Sequence, residues 1–121
     1  MPWEVEYTDE FGAWWEELSE SEQEAVAAYV GLVEARGPQL GHQHCSKIVT
    51  SRHSNMRELR VQEKGHPLRV LYAFDPRRTA ILLIGGDKKG DDGWYATYVP
   101  IADTLYDDHL AQLKDEGLTN G

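Results

Sequence analysis

Two arginines on neighbouring stretches of the chain have the spacing of groups that could bind phosphate together. Residues 56–61 read MRELRV and residues 68–74 read LRVLYAF, and in both runs apolar residues alternate with polar ones. This period of two predicts strands, and it places Arg60 and Arg69 on the faces opposite the apolar side chains. A guanidinium group stays protonated and can bind two phosphate oxygens at once, so the pattern predicts a phosphate-binding surface.

Other basic residues occur at the ends of the predicted strands. Arg57 lies near the start of the first run, and Lys88 and Lys89 follow the apolar run AILLIGG. These side chains could extend the surface around Arg60 and Arg69, and a lysine among other cations can have a lowered pKa that suits it to act as acid or base. The simpler interpretation is that charged residues occupy the solvent-facing positions of strands, as they do in most antiparallel sheets.

The charge of the chain is strongly segregated. Residues 1–46 carry ten acidic groups and one basic group, a net charge of −9, and residues 90–121 carry seven acidic groups and one basic group. Residues 47–89 carry ten basic and four acidic groups, a net charge of +6, within a chain of net charge −9. Because a phosphate responds to charges within a Debye length of about 8 Å, the local density decides the interaction. The middle segment is therefore a candidate basic surface.

The composition indicates one domain of ordinary size. The chain has 121 residues, of which 40% are hydrophobic, which is enough for a single core and too much for a disordered chain. No apolar run approaches the roughly 20 residues that cross a membrane, and the start MPWEVEYTDE does not resemble a secretory signal. A single cysteine, Cys45, cannot form an internal disulfide. We therefore expect a cytoplasmic protein with no membrane partner.

The order of the predicted elements is β-α-α-β-β-β-α. The alternation in WEVEY predicts the first strand, Thr8 is predicted to cap the first helix, and Ser19 with Glu22 fits a capping box for the second. Pro100 is predicted in the first turn of the last helix. We expect an α+β fold with a mostly antiparallel four-stranded sheet and helices packed on one face. The expected boundaries are a single domain at residues 1–116 and a flexible tail at 117–121.

The motifs together resemble the RelE/ParE superfamily of type II toxins, and within it the phage-derived HigB-like branch. The resemblance rests on SRHSNMRELRV, LRVLYAF, AILLIGGDKKG and PIADTLYDDHL, and it covers about residues 3–116. It implies a RelE-like toxin that cleaves mRNA, often on the ribosome, and that is neutralised by a cognate antitoxin, commonly a helix-turn-helix protein. The chain departs from this family in charge, because such toxins are usually strongly basic.

The resemblance also implies roles for individual residues. The catalytic group would comprise Arg69, Arg60 with Arg57 as its alternative, one of Lys88 and Lys89, and Tyr95 with Trp94 as its alternative. Further contacts to RNA would come from Arg57, Arg77, Arg78 and His53, and His53 or the tyrosine could also serve as the acid or base. Cleavage by the RNA's own 2′-hydroxyl needs a base, charge stabilisation at phosphorus and a proton for the leaving 5′-oxygen. This chemistry requires no metal ion and no other cofactor.

Other kinds of function stay open at the level of sequence. The same fold could serve a non-catalytic toxin, such as a gyrase inhibitor of the ParE type, or an inactive partner-binding module. The stretch HQHC with His53 offers zinc-ligand residue types, but its spacing fits no common zinc finger, so we expect no metal. The stretch GGDKKG lacks the residue order of a Walker phosphate-binding loop.

Overall fold

The computed structural model describes residues 2–117, which form five strands and three α-helices. The elements in chain order are β1 (Val5–Tyr7), α1 (Asp9–Glu17), α2 (Glu20–Arg36), β2 (Cys45–Lys47), β3 (Arg57–Glu63), β4 (His66–Phe74), β5 (Ala80–Asp87) and α3 (Trp94–Asp115). A short 3-10 turn at Gly37–Gln39 follows α2. The predicted tail lies outside the described residues from residue 118 onwards, and the predicted domain boundaries stay a prediction.

The strands form one sheet in the order β1-β5-β4-β3-β2. Strand β2 pairs antiparallel with β3, β3 with β4 and β4 with β5, whereas β1 pairs parallel with β5. The predicted α+β class and the mostly antiparallel sheet are confirmed. The sheet has five strands in place of four, because the three residues of β2 add to the free edge of β3 without any alternating pattern of their own.

Helices cover both faces of the sheet, so the prediction that they pack on one face is wrong. Helices α1 and α2 pack against a face that includes Leu59, Val61 and Val70. Helix α3 packs against the opposite face, where Leu71 and Leu83 are buried. The physical reason is that β4 and β5 carry apolar residues on both faces, and each apolar face must be covered to be removed from water.

The helix starts follow from capping in two cases and from packing in the third. Thr8 accepts a hydrogen bond from Phe11 N at 3.0 Å, and Ser19 with Glu22 forms the predicted capping box. Helix α3 begins at Trp94, so Pro100 lies inside the helix and the predicted start is wrong. The buried indole of Trp94 lies against Gly86, where a Cβ would come within 2.7 Å of Nε1. This contact fixes the first turn of α3 over the sheet.

Candidate functional site

Arg60 and Arg69 lie directly opposite each other on β3 and β4, as the alternation predicts. Two like charges in this position repel each other, so the pair needs compensation from its surroundings. Arg60 donates a hydrogen bond from Nη1 to Ser46 Oγ on β2, and Arg69 donates one from Nη1 to the carbonyl of Leu68 at 3.0 Å. The two guanidinium groups are therefore held on the face of the sheet that α3 partly covers.

A buried carboxylate, Glu58, joins this pair and was not among the predicted site residues. The hydroxyl of Tyr95 donates a hydrogen bond to Glu58 Oε1 at 2.6 Å, and Arg69 Nε lies 3.2 Å from the same oxygen. Arg69 Nε has no hydrogen-bond partner, so its contact with Glu58 is an ion pair without the angle of a hydrogen bond. The alternation places Glu58 on the same face as Arg60, which was the available signal, but it does not show that the carboxylate is buried.

The environment of Tyr95 keeps its hydroxyl protonated. Burial raises the pKa of the Tyr95 phenol, the hydrogen bond to Glu58 raises that pKa further, and Arg69 opposes both effects in part. The phenol is therefore a hydrogen-bond donor at neutral pH and not a base. Tyr95 lies in the first turn of α3, where it is positioned by the packing of the adjacent Trp94 on Gly86.

The structure separates the two lysines. Lys88 is half-buried, and its Nζ lies 5.5 Å from the centroid of the Tyr95 ring. A cation at this distance is attracted to the face of the ring. The side chain of Lys89 is exposed, and its backbone N–H donates to Asp87 Oδ1 at 2.9 Å. Lys88 is thus the lysine that the fold brings to Tyr95.

A groove of about 550 Å³ lies beside Tyr95 and Lys88 at the ends of the strands. It runs between the β3–β4 turn and the loop that leads into α3, and its other lining residues include Gln62, Lys89 and the carboxylates Asp91 and Asp92. The wall that carries Lys88 and the Tyr95 ring can receive a phosphate and a base, whereas Asp91 and Asp92 repel a phosphate from the side of the loop. We call Arg60, Arg69, Glu58, Tyr95 and Lys88 the site cluster.

The exposure of Arg69 differs from the prediction. The side chain was expected to face solvent, but it is only 13% exposed and its partner Glu58 is 9% exposed. Helix α3 covers this face, which is the reason for the difference. Arg69 is nevertheless close to the lysine side of the site, because Tyr95 contacts both Glu58 and Lys88.

Arg57 lies on the other face of the sheet. Its cross-strand partner is Tyr72, whose side chain belongs to the core beneath α1 and α2. Its Nη1 donates to the carbonyl of Pro38 at 2.8 Å, and its guanidinium lies 5.8 Å from the centroid of the Phe74 ring. Successive residues of a strand point to opposite faces, so Arg60 joins the cluster and Arg57 does not.

Arg77 and Arg78 are also away from the cluster. They lie in the β4–β5 turn, at the end where Phe74 pairs with Ala80, whereas the lysines follow the opposite end of β5. Arg77 bonds to Asp75 and Glu6, and Arg78 lies 4.9 Å from the Trp3 ring centroid. These contacts indicate structural roles.

A buried carboxyl explains the position of Arg77. The side chain of Asp75 is fully buried and accepts hydrogen bonds from Arg77 and from the backbone N–H of Thr79, while its Oδ2 lies 2.8 Å from His109 Nε2. Burial alone would raise the pKa of the Asp75 carboxyl, but the bonds to His109 and Arg77 hold the pKa below its ordinary value. The hydrogen bond between Asp75 and His109 ties the β4–β5 turn to α3.

His53 belongs to a different part of α3. Its Nε2 lies 2.6 Å from Asp107 Oδ1, and its ring is edge-on to Tyr106 with centroids 4.7 Å apart. Asp107 is twelve residues along α3 from Tyr95, a distance of about 18 Å along the helix axis. His53 is therefore not positioned to act on a substrate held at the cluster.

The histidines and the cysteine of the HQHC stretch do not form a metal site. Within residues 2–117, no three His, Cys, Asp or Glu side chains are grouped as metal ligands would be. Cys45 is buried and donates from Sγ to the carbonyl of Leu40 at 3.0 Å. In the same part of the chain, none of the helices is both long and apolar enough to cross a membrane.

Comparison with known sequences identifies relatives of this chain. Residues 13–107 match the family described as phage-derived protein Gp49-like. The chain is 38% identical over 109 residues to HigB2 and 41% identical over 99 residues to HigB3, both from Mycobacterium tuberculosis and both named as candidate toxins. The first match covers 88% of this chain but only 54% of HigB2, so the chain spans about half of that relative. The second covers 81% of this chain and 85% of HigB3.

Solved structures share the fold. An archaeal RelE–RelB complex from Pyrococcus horikoshii matches with a TM-score of 0.55 and 12% identity, over 74% of this chain and 99% of the other. The isolated E. coli RelE toxin matches with a TM-score of 0.58 and 11% identity, over 82% of this chain and 98% of the other. At this identity the likeness concerns the fold alone. The sequence matches show that the chain belongs to the phage-derived Gp49-like family and to the HigB-like proteins, and the structural likeness adds that its fold is that of RelE.

Proposed function

We propose that this protein is the toxin of a type II toxin–antitoxin system and that it cleaves mRNA in the cytoplasm without a metal ion. The observation that carries the proposal is the site cluster, which gathers two arginines, a lysine, a tyrosine and a carboxylate on one sheet face. The HigB names of the two relatives support the toxin function. Cleavage and its mechanism are inferred from the chemistry of the cluster.

The first half of the proposed reaction is attack by the RNA's own 2′-hydroxyl. Glu58 takes the proton of that hydroxyl, and the 2′-oxygen forms a bond to phosphorus. The hydrogen bond from Tyr95 to Oε1 holds the carboxylate in place, and the other oxygen, Oε2, is the atom that would take the proton. The protonated phenol cannot take that proton itself.

The second half is stabilisation of charge and departure of the leaving group. Arg69 Nη1 donates to the Leu68 carbonyl, and Nε is buried beside Glu58. The Nη2 group is therefore the part of this guanidinium that would bind a phosphate oxygen together with Arg60, once Arg69 opens toward the substrate. The bond between phosphorus and the 5′-oxygen breaks, and Lys88 supplies the proton to that oxygen. The products are a 2′,3′-cyclic phosphate and a 5′-hydroxyl, and each proton has a named donor and acceptor.

The partners proposed for this chain are mRNA, on the ribosome or free of it, and a cognate antitoxin of the helix-turn-helix type. A RelE protein of the same fold has been solved in complex with RelB, which supports a protein partner here. The acidic segments of the chain, which include Asp91 and Asp92, do not suit nucleic acid, so the RNA is proposed to lie at the cluster and along the Lys88–Tyr95 wall of the adjacent groove.

Primer extension on cellular mRNAs after induction tests the proposal. We expect new 5′ ends within minutes of induction, and no new ends with Arg69→Ala produced at the same level. Purified protein should cut RNA equally well with and without a chelator. Growth inhibition without any new 5′ ends would contradict the cleavage mechanism.

A non-catalytic toxin of the gyrase-inhibitor type, or an inactive partner-binding module, is the second candidate. The ion pair between Arg69 and Glu58 favours it, because an arginine that is 13% exposed must open or share its partner before it can bind phosphate. The two candidates differ in one result: toxicity that survives the combined loss of Arg69, Lys88 and Lys89 would contradict the nuclease and leave the non-catalytic candidate in its place.

A further inference from the structure

An apolar groove lies on the sheet face opposite the site cluster, between β1, α1 and α2. Its volume is about 500 Å³. The apolar side chains that line it include Val5, Tyr7, Phe11, Trp15, Ala27 and Leu82. Tyr7 is 67% exposed, and it lies on an edge strand whose outer side pairs with no strand among residues 2–117. An accessible groove of this composition is typical of a surface that binds another protein.

The charges around the groove decide which occupant fits. Glu16 and Glu34 also line it, and residues 1–46, which supply most of its wall, carry a net charge of −9. RNA phosphates would be repelled, and a second copy of this chain would bring the same acidic helices to the contact. A segment with apolar side chains at its centre and Lys or Arg at its edges matches both the groove and its rim.

We propose that this groove is the docking site of the antitoxin, which fills it with apolar side chains and places basic side chains near Glu16 and Glu34. The inference rests on the proposed function, since it takes the antitoxin to be the partner. Docking in the groove leaves the site cluster on the other face uncovered. The groove therefore contributes to the affinity for the antitoxin, and another part of the antitoxin must block the access of RNA to the site cluster.

Two neighbouring alanines of α2 provide a matched test. Ala27 and Ala28 are both exposed, but only Ala27 lines the groove. The probe is the purified product of the gene adjacent to this one, and the measurement is its Kd by calorimetry. We expect Ala27→Arg to raise Kd about tenfold or more, because the new side chain fills the groove and repels basic neighbours. Ala28→Arg adds the same charge to the same helix and should change Kd less than about twofold.

A second pair of variants tests the rim without filling the groove. Glu34→Lys reverses a charge that lines the groove, and Glu24→Lys reverses an exposed charge of α2 that does not line it. Glu34→Lys should weaken binding more than Glu24→Lys, and the difference should shrink as salt screens the contact. Thermal unfolding of all four variants confirms that each is folded.

The outcomes separate this inference from the proposed function. Suppose that Ala27→Arg and Ala28→Arg have equal Kd values and that the toxin still inhibits growth. This result would overturn the inference that the antitoxin binds in the groove, and it would not affect the proposed toxin function. A wild-type chain that neither inhibits growth nor binds the neighbouring product would overturn both. If the partner neutralises Ala27→Arg less well, and this variant is as toxic as the native protein in the absence of the partner, the result supports the groove as the docking site of the antitoxin.

Discussion

Replacement of Glu58 by glutamine tests the chemistry of the site cluster most directly. Glutamine has the same shape and keeps an oxygen that can accept the Tyr95 hydrogen bond, which is 2.6 Å long in the native protein. It cannot take a proton from a 2′-hydroxyl, and it cannot balance the charge of Arg69. The substitution therefore separates the charge and basicity of Glu58 from its packing.

The expected losses can be worked from the contacts. A positioned general base contributes about 10²- to 10⁴-fold to a rate, so single-turnover cleavage should slow by that factor. Arg69 Nε lies 3.2 Å from Glu58, and both side chains are nearly buried. Because Arg69 keeps its bond to the Leu68 carbonyl, we expect the free energy of unfolding to fall by about 1–3 kcal/mol.

Glu63→Gln is the matched control on the same strand. Its carboxylate is 20% exposed and lies 4.0 Å from Lys64, so this substitution should leave cleavage unchanged and alter stability by at most about 0.5 kcal/mol. Cleavage of a short RNA and urea denaturation of both variants measure the two effects separately. Glu58→Gln protein that is folded and cleaves at the native rate would refute the role of Glu58 as the base.

Further predictions follow from the other contacts. Arg69→Ala should lower the cleavage rate about 10²- to 10³-fold and, because Glu58 loses its cation, should also lower the free energy of unfolding by about 1–3 kcal/mol in urea. Lys88→Ala should slow single-turnover cleavage and Lys89→Ala should not, since only Lys88 lies against Tyr95; the opposite order would reassign the acid. Asp75→Asn should destabilise the protein at neutral pH. Because the Asp75 pKa lies below its ordinary 3.8 in the folded state, its ionised form stabilises the fold above that pH, and this contribution is lost as the pH falls further. The difference in urea stability between Asp75→Asn and the native protein should therefore shrink below about pH 3.8, and a constant difference would contradict the assignment.

Local signals in the sequence were sufficient for most of the fold. Capping at Thr8 and Ser19 and the alternation in β3 and β4 are properties of short segments, and the structure confirms them. Strand β2 could not be predicted in the same way, because its three residues form a strand only through pairing with β3. The start of α3 also depends on a distant contact, between Trp94 and Gly86.

The sequence predicted which face of the sheet each arginine of the site lies on, but it did not predict how deeply the site residues are buried. Alternation placed Arg60 and Arg69 together, since a strand has only two faces. It could not show that α3 covers that face, and so neither the low exposure of Arg69 nor the role of Glu58 could be predicted. Arg77 illustrates the same limit, because its partner Glu6 lies 71 residues away.

Pairing inside the protein also changes what the basic segment can do for RNA. Six of its ten basic residues make polar contacts within the protein: Arg52 with Asp107, Arg57 with Pro38, Arg60 with Ser46, Lys64 with Glu63, Arg69 with Glu58, and Arg77 with Asp75 and Glu6. If phosphates contact only Arg60, Arg69, Lys88 and Lys89, the plot of log K against log salt should have a slope of about −3, at roughly 0.7 per phosphate of a single strand. Contact through all ten basic residues would give about −7. Fluorescence anisotropy of a non-cleavable 2′-deoxy oligonucleotide between about 50 and 200 mM salt distinguishes the two. A slope near −7 would show that RNA binds a much wider surface than the site cluster and its groove.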